Sequence, residues 1–322
     1  MTLLSWWQER VGQRRSDDNA GRLVEAVNLA PPPAQPAPSN EREHPQSKED
    51  ELEAAFAVIC EHARNELVAG KIFDRLLDDV IGRHHRSLSW GDRLLTLDKS
   101  AGFRKVGNFL HLLNQMNPMK GCNQYASPDR LSWRLHVMIW ASSCVMRVPG
   151  DFVECGTTLG DMPWIITEAH DFVGAGKSFY AYDTFEGFDF RYSSEADFPE
   201  APEFFHRLHA ESREDPQRYE KVAARFATKP YVKVIKGVVP DVLRESAPQK
   251  IAFLHLDMNA PIAEKGALEL LFDRLSPGAI VIFDDYGWLL YHREKEVADE
   301  FLNARGYEFL ELPTGQGLAI LQ

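Results

Sequence analysis

The chain has 322 residues, 44% hydrophobic and 26% charged, with a formal net charge of −12. That is an ordinary globular composition, and the negative balance argues against nucleic-acid binding, which rests on basic contacts to phosphate. No apolar run approaches the roughly 20 residues a membrane span requires, so no transmembrane segment is expected.

The opening "MTLLSWWQERVGQRR" lacks the layout of a signal peptide. Leu3, Leu4, Trp7 and Val11 share one helical face there. Residues 30–50, "APPPAQPAPSNEREHPQSKED", are Pro-rich and then highly charged, which reads as a linker. Residues 1–50 are therefore expected to be a flexible tail. Cys60, Cys122, Cys144 and Cys155 are scattered without a CxxC pair, as expected of free thiols in a reducing cytoplasm. A cytoplasmic location is the corresponding expectation.

Residues 51–147 are expected to form a helical extension or cap. Leu52, Phe56, Ile59, Leu67, Ile72, Leu76 and Val80 recur at helical spacing. Further helices are predicted around 104–116 and 129–146. From residue 148 to 322 short apolar strands alternate with helical stretches. Strands are predicted at 151–155, 178–182, 231–235, 251–256 and 279–283, followed by 307–312 and 317–321. The alternation argues for a parallel sheet with helices on both faces. "PTGQ" leaves no room for a crossover helix between the last two strands, so they form an antiparallel hairpin. The plan is α/β: a seven-stranded, mostly parallel, Rossmann-like sheet of the class I methyltransferase kind.

The first strand leads into a glycine turn, "GDFVECGTTLGDMPWIITEAH", residues 150–170. Turns of this shape usually hold phosphate, yet Glu154 stands in the mouth and no G-K-[ST] follows. A carboxylate there favours a cation. S-adenosylmethionine carries a sulfonium and an ammonium and no phosphate, so it is the expected cofactor. Gly156 admits the ligand to the backbone, and Gly160 permits close helix packing. Asp183 ends the second strand, where an acid takes ribose hydroxyls in Rossmann-like folds.

Downstream, "IAFLHLD" ends in Asp257 and "AIVIFDD" ends in Asp284 and Asp285. On neighbouring strands these acids would crowd one edge with Glu154. Protonation, a basic neighbour or a divalent metal must offset the repulsion. If a metal, oxygen-only donors suit Mg²⁺, Ca²⁺ or Mn²⁺ rather than Zn²⁺. His255 shares the sheet face of Asp257, as a base or as a buried histidine bonded to a backbone carbonyl. Glu186 touches substrate or orders its loop. Trp288, Tyr291, His292 and Arg293 are candidates for the acceptor pocket. Residues 188–220 read either as a lid or as a solvated loop with two short helices.

"PGDFVECGTTLGD", "YDTFEGF", "LHLDMNAP" and "LSPGAIVIFDDYG" resemble the macrocin O-methyltransferase (TylF-like) family, which methylates sugar hydroxyls of macrolides and related natural products. The similarity covers about residues 130–322. It implies a class I methyltransferase fold, S-adenosylmethionine as cofactor, and Mg²⁺ held by Asp257, Asp284 and Asp285, with Asp257 the candidate base. It places cofactor contacts at Glu154, Gly156, Asp183 and Thr184, with Lys236 and Gly237 near the adenine. It also implies a homo-oligomer. This chain departs from the family's L-D-G-D-x-Y-E-S-T, reading "LDMNAPIAEKG", with Asn259 in place of the second acid. The expected function is Mg²⁺-assisted O-methylation of a small hydroxylated metabolite. N- or carboxyl-methylation without metal, and a non-catalytic cofactor-binding scaffold, are the alternatives.

Overall fold

In a computed structural model of the chain, the structure describes residues 88–91, 94–116 and 131–322. The predicted tail and the helices of 51–85 lie outside them. Within the stretch read as a helical extension, β1 (Leu88–Gly91) and β2 (Leu94–Leu97) pair antiparallel, an element that helical spacing did not suggest. A 3-10 turn (Gly102–Lys105) and α1 (Phe109–Asn114) stand where one helix over 104–116 is predicted. The break falls at Gly107, whose φ of +57° lies in the left-handed region. Then comes α2 (Ser132–Val145). No helix among the described residues is long and apolar enough to cross a membrane.

The rest is an α/β sheet domain. Its elements in order are β3 (Asp151–Cys155), α3 (Asp161–Ala169), β4 (Phe179–Asp183), α4 (Pro202–Ser212), α5 (Arg218–Arg225), β5 (Val232–Lys236), α6 (Leu243–Ser246), β6 (Ile251–Leu256), α7 (Pro261–Leu271), β7 (Leu275–Phe283), α8 (His292–Asn303), β8 (Leu310–Glu311) and β9 (Gly317–Ile320). The sheet order is β5-β4-β3-β6-β7-β9-β8. β3 to β7 pair in parallel, and β9 runs antiparallel to both β7 and β8. This is the class I methyltransferase plan that the strand spacing predicts. The predicted strand over 307–312 shortens to two residues.

β6 sits at the centre and is buried along its whole length, which is why "IAFLHL" is nearly continuous in apolar residues. The pleat sends alternate residues to opposite faces. Phe152, Phe253, Ile280 and Ile282 pack with Met138, Ala141 and Val145 of α2 and Ile166 of α3. Val153, Leu254, Leu256, Val281 and Phe283 pack with Leu268 and Leu271 of α7 and Phe301 and Leu302 of α8. The sheet is thus sandwiched between two helical layers.

The chain winds outward from β3 to β5, then returns to β6 beside β3. That reversal is the switch point, and ligands bind outside the strand ends there. Backbone bonds carry the ladder past the strand ends: Gly156 to Tyr182 at 2.8 Å, Asp257 to Cys155 at 2.9 Å and Asp284 to Leu256 at 2.9 Å. So the tips stand level. Gly156 has φ +93°, and a Cβ on it would lie 1.9 Å from the Asp257 carbonyl oxygen. Only glycine lets the two tips approach this closely.

Phe152 is fully buried, with ring centroids of Phe172 and Phe253 at 5.0 and 5.1 Å. Truncation there leaves a cavity in a packed core. Phe152→Ala is expected to lower the unfolding free energy by about 3–5 kcal/mol, read as a shift in denaturant midpoint; a change below about 1 kcal/mol would show that the layer repacks.

Candidate active site

A cavity of about 510 Å³ opens over the switch point, within the size range of small-molecule sites. Its floor is the glycine turn and the tips of β4, β6 and β7: Gly156, Thr158, Asp183, Asp257, Asp284 and Asp285 all line it. Its roof comes from the long insertion between β4 and β5, through Phe188, Tyr192, Phe204, Arg207 and Glu211. The insertion therefore covers the site. Phe198 and Phe204 meet the Tyr291 ring at 5.7 and 5.9 Å, and Arg293 donates to the Ala196 carbonyl at 2.8 Å. These contacts bind the roof to the segment after Asp285.

The cofactor end follows from the β3 turn. Asp183 is held by the backbone N–H groups of Thr158 (2.8 Å) and Phe185 (2.6 Å). Burial raises its pKa, against those N–H groups and Arg218, which favour the charge. A carboxylate fixed this way at the second strand's tip is a ribose-binding arrangement. Thr184 and Gly237 also line the cavity. Gly160, at φ +72°, starts α3, and a Cβ there would lie 2.8 Å from the Phe226 ring. It serves helix packing and is not part of the lining. The residues present suit S-adenosylmethionine: a side-chain-free floor at Gly156 and a rigid acid at Asp183.

Glu154 also lines the cavity, as its place in the turn suggests, and its carboxylate is engaged from behind. It is buried, its Oε1 is 2.8 Å from His255 Nδ1, and its other oxygen accepts from Thr157. His255 is fully buried and bonded to a carboxylate rather than to a backbone carbonyl. Its Nε2 lies 3.4 Å from Asp284 Oδ1. Burial alone would lower the His255 pKa; Asp284 and Glu154 more than reverse that and hold it at about 10. The imidazole is thus held between two acids, bonded to Glu154 through Nδ1, with Nε2 making no hydrogen bond among the described residues, and it does not line the cavity.

Asp284 continues this row. It accepts from Arg134 at one oxygen and from Gln316 Nε2 at the other, the latter at 2.9 Å. Burial pushes its carboxyl up, but Arg134, His255 and Gln316 outweigh that and hold it below the ordinary carboxylate range. Asp285, one residue on, lies past the end of β7 and lines the same cavity. It accepts from Asn259 and lies 3.8 Å from Arg134. Asp257 is half-buried in the cavity and makes no side-chain hydrogen bond among the described residues. Burial, then Asp284 and Asp285, raise its pKa well above the usual value. Behind the cluster, burial raises Glu264 to about 8, with Asp285 adding to the shift, and burial, then Glu264 and Asp285, raise Glu294 well above the usual carboxylate value.

Of the predicted Mg²⁺ ligands, Asp257 and Asp284 come together and Asp285 does not join them. Among the described residues, one group of three ligand-type side chains has donor atoms all within 4.8 Å: His255, Asp257 and Asp284. Asp285 is outside it. An ion there would have an imidazole nitrogen among its donors, which suits Mg²⁺ poorly. It would also share Asp284 with the Arg134 guanidinium. Like unit charges about 4 Å apart repel by about 4 kcal/mol at an effective dielectric of about 20, and a divalent ion doubles that. The acid edge does not fit Mg²⁺.

Of the remaining predicted residues, Trp288 and Tyr291 line the cavity. Glu186, Lys236 and Arg293 do not: Lys236 pairs with Glu186 at 2.6 Å on the surface, and Arg293 is spent on Ala196. Sequence reading missed Arg134. Its signal was an arginine amid the apolar residues of "LSWRLHVMIW", and such a charge is buried only where acids meet it. Gln316, Glu264 and Glu294 carried no comparable signal.

A sequence model of the family described as Macrocin-O-methyltransferase (TylF) matches residues 134–309. No curated protein sequence matches the chain. Among solved structures, the O-methyltransferase NovP is 20% identical with a TM-score of 0.48, over 59% of this chain and 79% of that one. The calicheamicin methyltransferase CalS11 is 16% identical with a TM-score of 0.44, over 70% of this chain and 94% of that one. A caffeoyl-CoA O-methyltransferase homologue from Staphylococcus aureus is 12% identical with a TM-score of 0.42, over 67% and 99%.

The His255 pKa gives a signed expectation. Its folded value, about 10, lies above the ordinary 6.5 or so. The stability it contributes is fully present below about pH 6.5 and is lost as pH rises through about 10. Denaturant midpoints of the wild type should fall across that window more steeply than those of His255→Gln. Parallel profiles would show that the imidazole is not charged in the folded state.

Proposed function

Since the chain belongs to the macrocin-O-methyltransferase (TylF) family and is an S-adenosylmethionine-dependent methyltransferase, we propose that it methylates a hydroxyl of a small sugar-bearing or polyhydroxylated natural product. The observation that carries this reading is Asp257: a carboxylate at the β6 tip, free of side-chain hydrogen bonds among the described residues, facing the same cavity as Asp183 and Gly156.

When bound, S-adenosylmethionine supplies an electrophilic methyl group on its sulfonium. Asp183 and the backbone around Gly156 and Thr158 hold the cofactor end. Asp257 accepts the proton of the acceptor hydroxyl as its oxygen forms the new bond to carbon. Burial, then Asp284 and Asp285, raise its pKa above that of a solvated aspartate, which makes it a stronger base toward the acceptor proton. The products are S-adenosylhomocysteine, a methyl ether and a proton that leaves through Asp257. Phe204, Trp288 and Tyr291 give the cavity aromatic walls, which suit the apolar faces of sugar and polyketide rings. The roof excludes water from the reacting oxygen. No step is routed through a divalent ion, because Asp284 and Asp285 are already engaged by Arg134, Gln316 and Asn259.

A screen of glycosides and hydroxylated metabolites with methyl-labelled cofactor tests the acceptor class. On the identified acceptor, Asp257→Asn is expected to lose at least about 100-fold in transfer rate while S-adenosylhomocysteine affinity stays near wild type. Full activity in that variant removes Asp257 from the mechanism. Asp183→Ala should weaken cofactor affinity by about 10- to 100-fold by calorimetry; an unchanged value rejects the ribose assignment.

A further inference from the structure

The acid edge raises a question that the family resemblance does not answer. Glu154, Asp257, Asp284 and Asp285 converge at the ends of three strands, and a divalent ion is the expected counter-charge. Arg134 already stands there. It projects from α2, is 4% exposed and lines the cavity. Its Nη1 bonds Asp284 Oδ2 and lies 3.8 Å from Asp285 Oδ1. Its guanidinium carbon is 5.5 Å from the Trp288 ring centre, so an aromatic face supports it as well. The other oxygen of each acid is taken too, by Gln316 and by Asn259.

We propose that Arg134 is the built-in counter-cation of this edge, standing between Asp284 and Asp285 where a divalent ion would otherwise sit, so that the protein neither binds nor needs a metal there. This rests on the proposed reading of the pocket as a methyl-transfer site. Three features support it. A guanidinium spans two carboxylates with donors in a fixed plane, which a flexible ammonium does not do. The residue facing Asp285 is Asn259, a neutral donor, so that acid is satisfied without an ion. And Arg134 and His255 already set two basic groups among the four acids of the edge, so counter-charge is built into it. Arg134 is thus a positioning residue. It fixes the orientation of the two acids and leaves Asp257 as the carboxylate with no internal partner.

The test uses the full chain with S-adenosylhomocysteine, and Mg²⁺ and Mn²⁺ as probes. In the wild type, calorimetry should detect neither ion at the site, and neither EDTA nor the ions should move the thermal midpoint. Arg134→Met should lower the midpoint by roughly 10 °C and make it responsive, with Mn²⁺ raising it again. Arg134→Lys, which keeps the charge, should remain indifferent to both ions. A merely structural ion pair would give the lower midpoint without the new response, so an Arg134→Met protein that ignores both ions overturns the proposal. Ion binding to the wild type overturns it as well, and that measurement stands even if the methionine variant does not fold. None of these readouts needs an acceptor: failure to find methyl transfer sinks the functional reading, whereas metal binding to the wild type sinks this one.

Discussion

The site is organised by buried charge. Glu154, His255, Asp284 and Arg134 form an alternating row of acid and base across the ends of β3, β6 and β7, under α2. Each member is almost fully removed from water. An isolated charge in such a place costs several kcal/mol, and a broken pair costs more than an intact one contributes. The row therefore has to be complete to exist. Its completeness leaves Asp257, among the acids that line the cavity, without a side-chain hydrogen bond among the described residues.

The fold supplies this arrangement through very little sequence. Parallel strands put their carboxyl ends level, and the reversal between β3 and β6 opens a crevice beside them. One glycine, Gly156, then allows the β3 turn to touch the end of β6. The helical layers add the selective part. α2 brings Arg134 to one face, and α7 and α8 bring Glu264 and Glu294 to the other. Both glutamates are buried and held toward the protonated state, Glu264 at about 8. The acid edge thus rests on a second layer that keeps its charge low by protonation, while the first layer keeps it low by pairing.

The sheet was largely legible in the sequence, because apolar runs and glycine turns are local signals. Five strands, β3 to β6 and β9, fall within one or two residues of their predicted limits; β7 begins earlier, at Leu275, and β8 shortens to Leu310–Glu311. The acids at the strand ends were legible for the same reason. What was not legible is which face each one occupies and what meets it there. Asp284 and Asp285 are adjacent in sequence and looked like one pair of ligands. Arg134 of α2 reaches both, and their other oxygens go separate ways, that of Asp284 to Gln316 and that of Asp285 to Asn259 in the segment after β6. Glu154 lines the cavity as its place in the turn suggests, but nothing in the turn tells that His255 lies across from it in the β3–β6 register and meets one of its oxygens. Contacts between residues 100 to 150 positions apart leave no mark in a single sequence. Arg134 is the partial exception, since a lone arginine in an apolar helix asks for an acid.

The shared arginine has an evolutionary corollary. β7 acts as a ruler: its residue count decides how far past the sheet the two carboxylates stand, and so whether both fall within reach of one guanidinium on α2. Gain or loss of a single codon in this strand would carry the pair out of that reach, even if every residue type were kept. Descendants of this chain should therefore tolerate exchange of one β7 aliphatic for another far more readily than any change in its length.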